Sequence, residues 1–312
     1  MKLKTLFKII YPFITSLIIL FFLYKSTKNG DLINSLKAIN IKIIFMVIVI
    51  FFIIKIVNTF RYAKLYNLQP SLKLFVLLCY SNMMLSLIPF RLGELSYVHG
   101  FKKYFNKDYS EATRKLITLR IIDYLFVYIL LLISSLFVSI AVKQVIINII
   151  SLFFFICLII FLGIFYLFIF KLRYFKLKNN KINKFIAIIN EGTKNILKPP
   201  KKEIAILFLF TFIYWIIRLI MGYIILVMLG INISFFIVTF ISLFLLLVGT
   251  LPIQTFANFG IFEGGWVYFL VSLGYHYNQI IIILFFYHIY LLIPVILYGV
   301  VGGIIIRFYV DN

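Results

Sequence analysis

The chain has 312 residues, of which 64% are hydrophobic, 19% aromatic and only 13% charged. A soluble globular protein is nearer half apolar and a quarter charged, so this composition excludes one and indicates a polytopic helical membrane protein. The formal net charge of +22 would point to nucleic acid in a soluble protein. Here the basic residues lie between long apolar runs, where they orient the chain and meet anionic headgroups. No soluble, aromatic-interleaved basic module is present, so no nucleic-acid partner is expected. The alternating polarity of a membrane β-barrel is also missing.

The first apolar run, residues 6–24, follows Lys2, Lys4 and Lys8 and ends without a small-residue cleavage site, which reads as a retained signal anchor. A second span is expected over 43–60, ending at Arg61 and Lys64. Residues 72–105 form an apolar run broken by Leu87-Ile-Pro-Phe-Arg-Leu-Gly-Glu94. Asp108-Tyr-Ser-Glu111 carries acidic groups suited to the positive end of a helix dipole, and a third span follows over 116–142. A fourth is expected over 145–170.

Residues 171–202 hold ten Lys or Arg against Glu191 alone, with apolar residues at near-helical spacing. That pattern fits either an amphipathic helix on an anionic leaflet or a solvated loop helix. A fifth span is expected over 204–229. Residues 235–273 contain a second break, Leu251-Pro-Ile-Gln-Thr-Phe-Ala-Asn-Phe-Gly-Ile-Phe-Glu-Gly-Gly265. The last span covers 280–306 and includes Pro294.

The expected architecture is therefore all-α, a single transmembrane domain over 1–312 with six full spans and two broken hairpins. Basic segments and nearly uncharged turns keep opposite sides only if each broken segment enters and leaves on one side, 72–105 on the cytoplasmic side and 235–273 on the outer side. The lysines of 25–42 go against this parity. Both termini are expected in the cytoplasm, at the cell membrane. Opposed broken hairpins are what an inverted-repeat transporter uses around a midplane site, although no residue-level repeat is visible.

Only nine acidic residues occur. Asp31, Asp108, Glu111, Glu191, Glu203 and Asp311 have loop or interfacial homes, which leaves Glu94, Asp123 and Glu263 at the breaks or within a span. Arg61, Arg91, Arg120 and Arg218 are the available partners. Arg120 and Asp123 are three residues apart on one helix, and Arg91 and Glu94 have the same spacing across the first break. Pro89, Gly93, Pro252, Gly260 and Gly264 are the candidate helix-breaking positions, glycine serving for unusual conformations or close approaches. Arg91, with backbone N–H groups freed by the break, is suited to a phosphate.

Arg91, Glu94, Arg120, Asp123, Asn258 and Glu263 are thus the candidate substrate-binding residues, with proton coupling through the carboxylates. Asn82 and Asn258 are expected to bond freed backbone. The same residues satisfy an alternative reading as structural ion pairs. His99, His276 and His288 are scattered and read as satisfied or interfacial. Cys79 and Cys157 lie in apolar runs, so no metal, cofactor or disulfide is expected. Glu94 and Glu263 are expected near one cavity.

Asn82, Pro89-Phe-Arg91-Leu-Gly93-Glu94, Arg120-Ile-Ile-Asp123, Pro252 and Gly260-Ile-Phe-Glu263-Gly264 together resemble the flippase-like transmembrane domain of lysylphosphatidylglycerol synthases. The likeness covers nearly the whole chain. Tyr97 stands where many relatives have arginine, and Leu119 where many have a glutamate before the arginine. The resemblance implies movement of a phospholipid or polyprenyl-linked intermediate between leaflets, by a stand-alone member without an aminoacyl-transferase domain. An integral-membrane enzyme or an accessory subunit of envelope lipid or glycolipid synthesis is the alternative. It is disfavoured because no nucleophile or metal spacing faces the carboxylates. A channel or scaffold is a third reading.

Overall fold

The computed structural model describes residues 40–88, 93–141, 201–249 and 255–310, and no strand occurs among them. The expected spans over 6–24 and 145–170 and the basic segment 171–202 up to residue 200 lie outside the described residues, as do Pro89, Arg91 and Pro252. The described elements are α1 (Ile41–Tyr66), α2 (Leu72–Leu87), α3 (Glu94–Phe105), α4 (Tyr109–Ala141), α5 (Lys201–Met228), α6 (Phe235–Val248), a 3-10 turn (Phe256–Asn258), α7 (Ile261–Ser272) and α8 (Tyr277–Val310). Ile41–Tyr66, Tyr109–Val138, Ala205–Met228 and Tyr277–Phe308 are each long and apolar enough to cross a membrane.

Local chemistry sets the helix ends. The Asn40 side chain accepts from Lys42 N at 2.9 Å and opens α1. Asn67 takes a left-handed conformation (φ 52°) and returns its N–H to the Ala63 and Lys64 carbonyls. Ser71 and Ser234 cap α2 and α6 in the same way, and Asn106 (φ 53°) closes α3.

Two boundaries differ most from the sequence reading. The second span does not end at Arg61 and Lys64 but runs on to Tyr66, and Arg61 is buried against other helices rather than held at an interface. The third begins at Tyr109, seven residues before 116, with Ala112 N bonding back to Asp108 O at 2.8 Å. Pro294 is carried inside a continuous α8.

α1 and α8 run parallel: Asn40 N donates to Tyr290 OH at 3.0 Å, and Tyr298 OH donates to Ile48 O at 3.3 Å. α5 packs antiparallel to α1, with Leu207 beside the Tyr62 and Tyr66 end and Ile225 in the cluster that holds Ile43 and Val47. The first broken segment fills one end of this bundle. Tyr97 stacks on Tyr62 at 5.7 Å, and Phe101 on Tyr66 at 3.8 Å, between α1 and the start of α4. Tyr97 and Leu119, the positions that depart from the relatives, are thereby both core residues, 2% and 1% exposed.

α2 lies along the C-terminal part of α8, where a glycine face lets the backbones approach. A Cβ on Gly302 would sit 2.7 Å from Val76 O, and Cβ atoms on Gly299 and Gly303 would press into Met83 and Tyr80. Small residues at a helix contact supply van der Waals packing where lipid removes the hydrophobic driving force. The 3-10 turn of the second broken segment also contacts α2.

Candidate functional site

The first polar cluster is assembled from four helices. Arg61 on α1 is 1% exposed, and its Nη2 donates to Asp123 Oδ1 on α4. Its Nη1 donates to Asn58 Oδ1 and its Nε to Thr211 Oγ1 on α5, both at 3.2 Å. Its guanidinium also lies over the Tyr214 ring, 4.4 Å from the centroid. Asp123 Oδ1 accepts a further bond from Trp215 Nε1 at 3.1 Å. Arg120 Nη1 sits 3.6 Å from Asp123 Oδ2, and Arg120 Nε 3.1 Å from Glu94 Oε1 at the start of α3. The latter is an ion pair by distance without the alignment of a hydrogen bond.

Glu94–Arg120–Asp123–Arg61 is therefore a continuous chain of alternating charge. A single charge at the centre of a bilayer costs at least about 2.5–3.5 kcal/mol on insertion scales, so charged groups buried among membrane spans are favoured when they compensate one another, as these four do. Glu94 and Arg120 keep partial exposure while Arg61 and Asp123 are sealed in. The buried end fixes the geometry and the open end faces outward from it.

Gly93 secures that open end. A Cβ there would overlap the Met84 carbonyl and the Leu85 backbone, so α2 and the start of α3 touch main chain to main chain. Gly93→Ala is expected to cost about 1–3 kcal/mol by overpacking and to displace Glu94 from Arg120. Gly264, also read as part of a break, lies inside α7, and a Cβ there would meet nothing within 4 Å. Gly264→Ala is expected to be neutral or to stabilise by up to about 1 kcal/mol, and melting temperatures of the two variants check the contrast.

The second polar cluster lies at the second break. Glu263 is fully buried (0% exposed) near the start of α7. Its Oε2 accepts from Gly260 N at 2.6 Å, and its Oε1 lies 2.6 Å from His288 Nδ1 on α8. Phe259 and Phe262 hold the imidazole, with ring centroids at 4.6 and 4.5 Å. The turn before it is strained: Ala257, Asn258 and Gly260 have φ of 50°, 60° and 87°. Only Gly260 adopts such a conformation without steric cost, whereas alanine resists it. Asn258 contributes its backbone N–H, to Thr255 O at 3.2 Å, and its side chain is exposed.

The structure thus joins Glu94, Arg120 and Asp123 in one network and places Glu263 with His288 and the Gly260 N–H. The two glutamates engage different partners on different helices. Sequence reasoning named Arg61 only as an available partner, read His288 as satisfied or interfacial without identifying its partner, and gave no role to Trp215, Thr211 or Tyr214. A signal for the α5 residues existed. Thr211, Tyr214, Trp215 and Arg218 fall at i, i+3, i+4 and i+7, a single polar face on an otherwise apolar helix. His288, 25 residues beyond Glu263, carried no comparable signal.

A family model described as the lysylphosphatidylglycerol synthase TM region matches residues 9–299. The chain belongs to this family. Members of the lysylphosphatidylglycerol synthase transmembrane family are multi-pass membrane proteins, and the match takes in both breaks and both polar clusters of this one. Neither the curated proteins nor the solved structures searched contain a match to the chain.

Proposed function

We propose that the protein moves a phosphate-bearing lipid, a phospholipid or a lipid-linked intermediate, between the leaflets of the cell membrane. The observation that carries this reading is the Glu94–Arg120–Asp123–Arg61 chain, sealed at one end and partly open at the other. A headgroup crossing hydrocarbon needs a polar, compensated surface, and ionisable groups among membrane spans are costly enough to mark a substrate path.

The short helices add support. α2 and α3 have 16 and 12 residues, and α6 and α7 have 14 and 12. At 1.5 Å per residue these are roughly 24, 18, 21 and 18 Å long, against a hydrocarbon core of about 30 Å. Each pair is read as a re-entrant hairpin opening to opposite sides, with both termini in the cytoplasm. Backbone that is not helical at such depth persists where it is buried in protein or lines a wet cavity.

Purified protein in unilamellar vesicles should carry a headgroup-labelled phospholipid from the inner to the outer leaflet, read by dithionite bleaching of the exposed label. Glu94→Gln and Glu263→Gln should each abolish the transfer, since each removes a charge from one of the two clusters. Full transfer by both variants would sink the site assignment. If the vesicles show no transfer but the protein supports formation of a modified lipid when mixed with its membrane partners, the synthesis-accessory reading takes its place.

A further inference from the structure

The two ends of the bundle differ in charge. At one end, residues 228–235 and 272–277 are joined by Tyr275 OH donating to Asn232 O at 2.6 Å, and they hold no Lys, Arg, Asp or Glu. The opposite end gathers Lys73, Lys102, Lys103, Lys107, Arg114 and Lys115 with two carboxylates, Asp108 and Glu111. All four candidate spans have an end on that face, where Tyr66 of α1, Leu116 of α4, Leu207 of α5 and Ile306 of α8 share one buried cluster.

An aromatic spine draws these cations together. Tyr66, Phe101 and Phe105 follow one another with centroids 3.8 and 5.6 Å apart. Lys115 Nζ lies 5.2 Å from the Tyr66 centroid, and Lys73 Nζ 5.5 Å from that of Phe105, so the two ammoniums are held against the ends of the spine. Tyr66 OH donates to Ala112 O at 2.8 Å and fixes the start of α4 against α1. The two acids do not balance the group. Glu111 Oε1 lies 3.4 Å from Lys107 Nζ and 3.0 Å from Lys115 Nζ, so one carboxylate oxygen serves two ammoniums. Asp108 is engaged by Lys102 at 3.2 Å.

We propose that this face docks the headgroups of net-anionic phospholipids from the leaflet in which these spans end, with Lys73, Lys107 and Lys115 as its principal contacts. Basic side chains where a span leaves the hydrocarbon stand at the level of the lipid phosphates. The apolar neighbours select a lipid over a soluble polyanion. Leu72, beside Lys73, is 61% exposed, and Tyr109, between Lys107 and Glu111, is 52% exposed. A polyanion would engage the cations and leave these side chains in water, whereas a phospholipid brings acyl chains as well as a phosphate. A zwitterionic headgroup adds its own ammonium to a face that already has cationic excess, and binds more weakly. The docking surface does not depend on translocation.

The test uses the full chain in nonionic detergent, with acyl-labelled phosphatidylglycerol or phosphatidylcholine as the probe and fluorescence anisotropy as the readout. Phosphatidylglycerol should bind about ten-fold more tightly at low salt, and about 0.5 M salt should erase most of the difference, because exposed charges are screened. Lys73→Gln, Lys107→Gln and Lys115→Gln should each weaken phosphatidylglycerol binding by about five-fold, the loss expected for one basic side chain at an anionic surface. Lys42→Gln removes the same charge from an exposed position at the start of α1, away from this face, and should bind as the native protein does. Lys73 is exposed and its variant should keep the native melting temperature, so it decides the case if Lys115→Gln, beside the buried Tyr66 ring, loses stability.

Equal affinity for the two lipids overturns the proposal, as does native affinity in both Lys73→Gln and Lys107→Gln. The same loss in Lys42→Gln overturns it too, since the effect would then follow net charge rather than this face. Displacement of the lipid by an equal concentration of inorganic phosphate or of a short single-stranded DNA would make the occupant a soluble anion and refute the lipid assignment. Because binding is read without leaflets, lipid that docks here but never crosses refutes translocation and leaves the docking surface standing.

Discussion

Asp123→Ala is expected to destabilise the protein by about 3–5 kcal/mol and to abolish leaflet transfer. Asp123 is the hub of the first cluster: it accepts from Arg61 and Trp215 and faces Arg120 at 3.6 Å. Removing it leaves the Arg61 guanidinium in a sealed site with only the neutral oxygens of Asn58 and Thr211 and the Tyr214 ring. Those groups satisfy its hydrogens but not its charge. The double variant Arg61→Met, Asp123→Leu separates stability from function, since a buried ion pair replaced by apolar residues of similar volume is often neutral or stabilising. It should recover most of the melting temperature in detergent and none of the transfer. A double variant that transports lipid would show that the pair only braces the helices.

Glu263→Ala is the second large effect, with an expected loss of about 2–5 kcal/mol. It strips acceptors from the Gly260 N–H and from His288, and each buried polar group left unsatisfied costs about 1–3 kcal/mol. The loss is local in origin. The turn at Ala257, Asn258 and Gly260 is held in left-handed conformations, and the Gly260 N–H bond to Glu263 ties that turn to the first turn of α7. Glu263→Gln keeps an oxygen for Gly260 and a side chain of the same shape. It should therefore retain most of the stability that alanine loses while still failing to transport. Equal melting temperatures for the alanine and glutamine variants would remove the structural half of this account, and hydrogen exchange at Phe259 and Gly260 would show where the turn loosens.

Together the two experiments distinguish clusters that share a charge logic but differ in construction. The first is a relay between side chains of four helices, open at Glu94. The second closes on itself, a carboxylate bound to a backbone N–H on one side and an imidazole on the other. One leaves a partly exposed carboxylate at Glu94, and the other ties a strained turn to the first turn of α7.

The sequence by itself determined the membrane class, the positions of both breaks and the short list of acids that had to be explained. These are one-dimensional properties: run length, proline and glycine placement, and the cost of a charge in an apolar segment. The Arg120–Asp123 neighbourhood was legible for the same reason, since i,i+3 residues share a helix face whatever surrounds it. Tertiary structure alone decided the partners. Arg61 and Asp123 are 62 residues apart, and Trp215 lies 92 from Asp123. No local spacing foretells which distant helix will supply a counter-charge. The same holds for His288 on Glu263. Gly93 and Gly264 make the point at its smallest scale. Both read as breaks in the sequence, yet only the backbone of α2 pressed against Gly93 makes one of them indispensable.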